Sequence, residues 1–190
     1  MHVLRVVRVL LPVLIVAAVV GAASSVLSAR PDIQKAKTNL DTSWTALSPQ
    51  LDHRYVLLAG VDDKLRTVPG PIHALVTDVD AAVSHWHDVR AHAAAVASQV
   101  AAANDVEALS RELVATAAAS PRVQGNTAVS LLMTQFLNDT SRSAASGFNR
   151  DVTSYEHERR GPVRTVVASL LGDGTIPVLD TTATTPSPTA

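Results

Sequence analysis

The sequence contains no cysteine and very few aromatic residues. The absence of cysteine excludes thiol catalysis, disulfide scaffolds and cysteine-ligated zinc. Aromatic residues make up only 3% of the chain, and a core of small aliphatic side chains suits closely packed helices better than β-strands. The net charge of −1 lacks the basic excess that is typical of nucleic-acid-binding proteins. With 190 residues, the chain has room for one modest domain and its tails.

One long uncharged run lies near the N-terminus, from Val9 to Ala29. Its 21 residues are enough to cross a bilayer as a helix, which needs about 20. We therefore predict a membrane anchor over residues 1–30. The alternative is a cleaved signal peptide, because small residues at 21–25 offer a cleavage site. Val26 and Leu27 continue the apolar run beyond that site, which favours a retained anchor.

The C-terminal tail bears on the orientation of the chain. Basic residues on the two sides of the apolar run are nearly balanced, so they decide little. The threonine and proline content of residues 173–190 predicts disorder, and Thr181–Ala190 resembles the spacers of exported proteins. We therefore expect a single-pass protein of the cell membrane with its bulk outside the cytoplasm.

Apolar residues recur at steps of three and four after the anchor, which predicts a helix from Asp32 to Thr67, kinked at Pro49. Its two apolar series contain Ile33, Leu40, Leu47 and Val61, and Trp44, Leu51, Leu58 and Leu65. Arg54 is the exception within the first series.

The same periodicity predicts further helices along residues 31–172. One begins at Pro71, one restarts at Asn104 with Glu107 completing a capping box, one runs from Thr127 to Arg160, and a short one opens at Pro162. No strand alternation of any length occurs. The expected fold is all-α: an N-terminal transmembrane helix followed by an antiparallel up-and-down bundle of long helices. Its expected core includes Leu51, Leu58, Val79, Trp86, Val152 and Tyr155.

Three stretches resemble motifs of the LemA family. "FNRDVTSYEHERRGPV" resembles the family's C-terminal signature through Phe148-Asn149, Val152, Tyr155 and Pro162, with Glu156 in place of the second Asn. "WTALSPQLDHRYVLLAGV" resembles the first-helix motif through Gln50, Leu51, His53, Arg54, Leu57 and Leu58, and departs from it at Ala59-Gly60. "ASPRVQGN" resembles the Tyr-Pro-x-Leu connection, with Ser120 replacing the tyrosine. The resemblance covers most of the chain and implies a membrane-anchored antiparallel bundle with no defined enzymatic activity.

Two groups of polar residues are candidate sites. His85, Asp88 and His92 share one flank of the second helix at spacings of three and four, so they are weak candidates for metal ligands. Asn149, Arg150, Glu156 and Arg160 lie mostly off the apolar stripe of the last long helix and form a candidate partner-docking face. The alternative is a solvated helix surface on which Glu156 pairs with Arg160.

The expected function is that of a non-enzymatic, membrane-anchored scaffold or adaptor of the LemA type, which docks envelope proteins through a helix face. The alternative is a helical bundle that binds a metal or a small ligand at the membrane surface. The chain has no nucleophile elbow and no phosphate loop, so we expect neither catalysis nor a cofactor. The expected partners are the lipid bilayer and envelope proteins, with self-association left open, but not nucleic acid.

Overall fold

The computed structural model describes the backbone at residues 2–170 and 174–181, and the side chains at 30–161, 164–169 and 174–181. Every regular element in these ranges is helical, and no β-strand occurs within them. The helices are α1 (His2–Leu65), α2 (Pro71–Ala91), α3 (Val96–Ala119), α4 (Pro121–Gln124), α5 (Thr127–Leu137), α6 (Ser141–Glu158) and α7 (Pro162–Leu170). The predicted all-α class is therefore confirmed.

The chain divides into two compact units. The first unit comprises residues 1–39 and 154–175, and the second comprises 40–153 and 176–190. Helices α1 and α6 contribute residues to both units.

Contacts within the second unit fix the direction of its helices. Asp52 on α1 contacts Trp86 on α2, and Arg66, the first residue after α1, contacts Asp80, which comes earlier on α2 than Trp86 does. Position along α1 and position along α2 thus run in opposite senses, so these helices are antiparallel.

Helix α3 runs parallel to α1. Trp44 binds Gln99, and Arg54, ten residues later, binds Glu107. The α1–α2 and α1–α3 registers together describe an up-down-up path through the second unit, which is the connectivity expected of a helical bundle joined by short loops.

Five of the six aromatic residues lie in the second unit. Trp44 lies 6.1 Å from Trp86 and 5.1 Å from Phe148 between ring centroids, and Tyr55 lies 5.6 Å from Trp86. Each indole N–H is satisfied: Trp44 donates to Gln99 at 3.0 Å and Trp86 donates to Asp52 at 2.8 Å. Large rings whose polar tips are paired give this core a single defined arrangement.

The first unit has a mostly aliphatic core, with one tyrosine, and ion pairs near its surface. Its buried side chains include Ile33, Ala36, Tyr155, Val167 and Ala168. Arg164 on α7 binds the Glu158 carboxylate and lies 3.7 Å from the carboxylate of Asp32. These half-exposed pairs link α7 to the end of α6 and to α1.

The predicted core residues are confirmed. Leu51, Leu58, Val79, Trp86, Val152 and Tyr155 are all buried, with no more than 2% of any of them exposed. The apolar series of α1 therefore reports the true buried face of that helix.

Helix boundaries differ from the prediction at three places. Helix α1 begins at His2 rather than Asp32 and continues through Pro49 to Leu65. The restart predicted at Asn104 is wrong, because α3 continues from Val96 to Ala119. The interruption instead comes earlier, at residues 92–95, where Ala93 takes a positive φ of 47°.

The long helix predicted from Thr127 to Arg160 is two helices separated at residues 138–140. Asn126 caps α5 by accepting hydrogen bonds from the N–H groups of Ala128 and Val129. The Asp139 carboxylate accepts from the Ser141 N–H at the start of α6. Side chains that bond to nearby backbone compete with a continuous helix, which explains the break.

The predicted anchor at Val9–Ala29 lies outside the residues whose side chains are described. Within the described part of the chain, none of the helices has a stretch both long and apolar enough to cross a bilayer.

Candidate functional site

A buried ion pair links three helices of the second unit. Arg54 on α1 donates from Nε to Glu107 Oε1 at 2.7 Å and from Nη2 to Oε2 at 3.1 Å. Its Nη1 donates to the carbonyl of Phe136 at 2.5 Å, and its guanidinium lies 3.8 Å from the centre of the Phe136 ring. Both charged side chains are 2% exposed.

This arrangement satisfies the buried arginine on every side. The two-point contact with Glu107 neutralises its charge, and the Phe136 carbonyl lies in the last turn of α5, where the helix dipole favours a cation. A buried carboxylate and guanidinium that hydrogen-bond to each other hold the helices that carry them in a fixed register. We assign this cluster to the fold rather than to chemistry.

A second buried carboxylate is less completely satisfied. Asp62 on α1 is 2% exposed, and its Oδ1 accepts no hydrogen bond. Burial raises the pKa of Asp62 to about 7, Asp80 adds to the rise, and Arg66 opposes it. The side chain therefore changes charge near neutral pH.

The most distinctive polar geometry lies where the segment 176–181 meets α3 and α6, through contacts of residues 178–181. This segment follows the helices and has no regular secondary structure. Ile176 and Leu179 are buried, with 8% and 2% exposed, whereas Val178 between them is 53% exposed. The side chains of the residues before and after Leu179 are thus exposed while that of Leu179 is buried, which is the alternation of an extended chain.

Two asparagines bind the backbone around Leu179. Asn149 on α6 donates from Nδ2 to the Leu179 carbonyl at 2.7 Å and accepts from the Leu179 N–H at 2.8 Å. Asn104 on α3 donates to the Val178 carbonyl at 2.9 Å and accepts from the Asp180 N–H at 2.8 Å.

These four hydrogen bonds reproduce the pairing of a strand inside a sheet. In extended chain, the N–H and C=O of one residue point to one edge, and those of its two neighbours point to the other. An amide side chain offers a donor and an acceptor side by side, so each asparagine stands in for one neighbouring strand. The groove between α3 and α6 thus binds the extended chain on both of its backbone edges, at Leu179 on one side and at its two neighbours on the other.

Charged side chains lie close to the backbone of Leu179. Arg111 on α3 binds the carboxylate of Asp180 at 2.8 Å. A cleft of about 480 Å³ adjoins the segment and is lined by residues that include Arg142, Ser146, Arg150 and Leu179. Within the described part of the chain, the Nε of Arg142 is buried and has no hydrogen-bond partner. The groove is thus basic around an apolar centre.

The residues of the predicted docking face have different surroundings. Asn149 is half-buried and holds Leu179, while its neighbour Arg150 is exposed and lines the cleft. Glu156 accepts from Arg159 at 3.0 Å, and Arg160 lies beyond the end of α6 and is exposed. Asn149 and Arg150 belong to the second unit, and Glu156 and Arg160 belong to the first.

The weak metal candidates all lie on the surface. His85, Asp88 and His92 are exposed, and His92 Nδ1 lies 3.2 Å from an Asp88 carboxylate oxygen. Among the residues that the structure describes, no group of three or more histidine and acidic side chains is placed to hold a metal ion.

A larger open cleft of about 670 Å³ lies elsewhere in the second unit, between the α1–α2 turn and the α3–α4 turn. Its lining is mainly aliphatic and proline-rich and includes Val68, Pro69, Ile72, Pro121 and Arg122. No pair of acidic or basic groups converges there, so its chemistry favours no particular ligand.

The chain matches no protein-family model, no curated protein and no solved structure. The function therefore has to be argued from the groove itself.

The sequence did not predict the partners of Arg54 in the buried ion pair or of the two asparagines in the groove. Asn104 and Glu107 were assigned to a helix start, but both lie inside α3. A signal for Glu107 was present, because it falls seven residues after the buried Val100 on the same face. No local signal pointed from Asn104 or Asn149 to the residues that they bind, which lie 74 and 30 positions further along the chain.

Proposed function

We propose that this protein is a membrane-anchored adaptor of the LemA type, which docks other proteins through the groove between α3 and α6. The observation that carries the proposal is the binding of extended chain by two asparagines: Asn149 pairs with the backbone of Leu179, and Asn104 pairs with the backbone of its two neighbours. A surface that grips polypeptide backbone is suited to protein recognition.

The membrane part of the proposal is supported by the uncharged run at Val9–Ala29. The LemA part is supported by the resemblance of the Phe148–Pro162 signature. In keeping with it, Phe148, Val152 and Tyr155 are all buried, as an aromatic motif that packs a helix requires.

Fractionation of cells that produce the full chain tests the anchor. We expect the protein to stay in the membrane pellet after alkaline carbonate washing, and a variant that lacks residues 1–29 to leave it. If cells that express the full-length sequence instead yield a shortened protein in the soluble fraction, the N-terminal segment is a cleaved signal peptide.

Proximity labelling in native cells tests the adaptor role. The wild type is compared with a variant carrying Arg142→Glu and Arg150→Glu, which reverses the charge of the cleft. Arg122→Glu is the matched control, because Arg122 is an exposed arginine of the same unit outside this cleft. We expect a small set of envelope proteins to be lost only with the cleft variant, and an unchanged set would contradict the proposal.

A further inference from the structure

The segment that fills the α3/α6 groove shows what kind of ligand the groove accepts. Four of its contacts are made to backbone atoms and would be offered by any extended peptide. These contacts bind the peptide and fix its orientation independently of its side chains.

Sequence preference comes from two side chains. Leu179 is 2% exposed, so the groove has an enclosed apolar position at this residue. Asp180 pairs with Arg111 at 2.8 Å and is itself about half exposed, so the next position prefers an acidic residue. Ile176, which is 8% exposed, is a second buried apolar residue of the segment, three residues before the leucine.

We propose that the groove recognises, in trans, an extended acidic peptide with an apolar residue, two variable residues, leucine and then aspartate or glutamate. The chain's own Ile176–Asp180 occupies the groove as a competing intramolecular ligand. This inference rests on the proposed adaptor function and names the partner chemistry of that site.

Charge complementarity favours this occupant over a neutral peptide. Arg111 faces the acidic position, and Arg142 and Arg150 line the cleft that continues from Leu179. A tethered segment acts at an effective concentration on the order of millimolar, so a free peptide must outcompete it. The groove therefore opens to partners when the tethered segment is weakened.

The test uses the purified full chain in detergent and a fluorescent peptide that copies residues 174–181. Fluorescence anisotropy measures binding to the wild type, to Leu179→Glu and to Val178→Glu. Leu179→Glu places a charge at the enclosed position and releases the tethered segment. Val178→Glu is the matched control, because the adjacent Val178 side chain is 53% exposed.

We expect Leu179→Glu to bind the peptide at least tenfold more tightly than the wild type does, and Val178→Glu to bind like the wild type. Adding Asn149→Ala to Leu179→Glu should abolish the gain. Adding Arg111→Glu should weaken binding of the native peptide and favour a peptide with lysine at the aspartate position.

Folding of each variant is checked by circular dichroism. If Leu179→Glu loses its helix content, Leu179→Ala replaces it, because this change removes most of the buried apolar side chain and so weakens attachment of the tethered segment. A folded, opened chain that fails to bind, or that binds a scrambled peptide equally well, overturns the inference.

The two proposals can fail separately. Cleft-dependent neighbours in cells, together with no peptide binding in vitro, would retain the adaptor and reject the extended-peptide ligand. Selective peptide binding in vitro, together with unchanged neighbours in cells, would retain the groove and reject the adaptor role.

Discussion

The second unit contains two polar centres that differ in their access to solvent. The Arg54–Glu107 pair is sealed, with both side chains 2% exposed. Asn104 and Asn149 are only half-buried, and their hydrogen bonds reach the backbone of a segment that comes from far along the chain. Sealed polar groups are costly to disturb and hold one arrangement, whereas open ones can exchange partners with less cost. The comparison separates groups that stabilise the fold from groups suited to recognition.

Removing one member of the sealed pair should give the largest effect. Glu107→Ala leaves the Arg54 guanidinium buried without its carboxylate, so we expect a loss of about 3–5 kcal/mol in the free energy of unfolding. Urea denaturation measures it. The double replacement Arg54→Met with Glu107→Leu should recover stability, because it removes both charges together. A single variant that loses less than about 1 kcal/mol would show that the pair is not sealed.

Asp62 extends the comparison to a buried carboxylate without a full set of partners. Its pKa is raised from 3.8 to about 7 in the folded protein, so the folded state holds the proton more tightly than the unfolded state does. Stability from this group is therefore full below pH 3.8 and declines as pH rises towards about 7.

Asp62→Asn should remove that decline. At pH 8 we expect the variant to be more stable than the wild type, by about 1.4 kcal/mol for each unit by which the pKa is raised. At pH 4 the two proteins should differ little. The exposed neighbour Asp63 supplies the control Asp63→Asn, which leaves the buried carboxylate in place, so the decline caused by Asp62 should persist in it. Parallel stability curves for Asp62→Asn and the wild type would contradict the pKa.

Asn126 has an exposed side-chain amide that accepts hydrogen bonds from nearby backbone N–H groups at the start of α5. Asn126→Ala removes the cap from two N–H groups and should cost about 1 kcal/mol. Thermal unfolding measures the change. Ser130→Ala, at an exposed position of the same helix, should have a smaller effect. Equal losses from the two variants would count against a capping role.

The smallest effect is expected at an exposed ion pair. Arg66 lies 2.7 Å from Asp80, but their side chains are 54% and 42% exposed. Arg66→Ala should cost less than about 1 kcal/mol at low salt, and the loss should shrink as salt is added. A loss comparable with that of Glu107→Ala would remove the distinction between sealed and open contacts.

Local sequence signals predicted much of the helical framework. The spacing of Leu51 and Leu58, and of Val79 and Trp86, correctly identified buried faces, because a helix repeats its face every three to four residues. The break near Asn138 was missed because the apolar pattern continues across it, while the capping bond from Asp139 depends on two residues only.

The candidate site was less accessible to prediction. Asn149 and Arg150 were identified as exposed polar residues of interest, and both border the groove. Their use could not be predicted, because hydrogen bonds between side chain and distant backbone leave no periodic trace in the sequence.

The sequence by itself determined that this protein is helical and which faces of its helices are buried, since helical periodicity is a local property of the chain. Only the tertiary structure decided that Arg54 meets Glu107, that Asn149 binds the backbone of Leu179 and that Asn104 binds the backbone of Val178. Those pairings join residues from 30 to more than 70 positions apart, and they depend on how helices align rather than on how each helix forms.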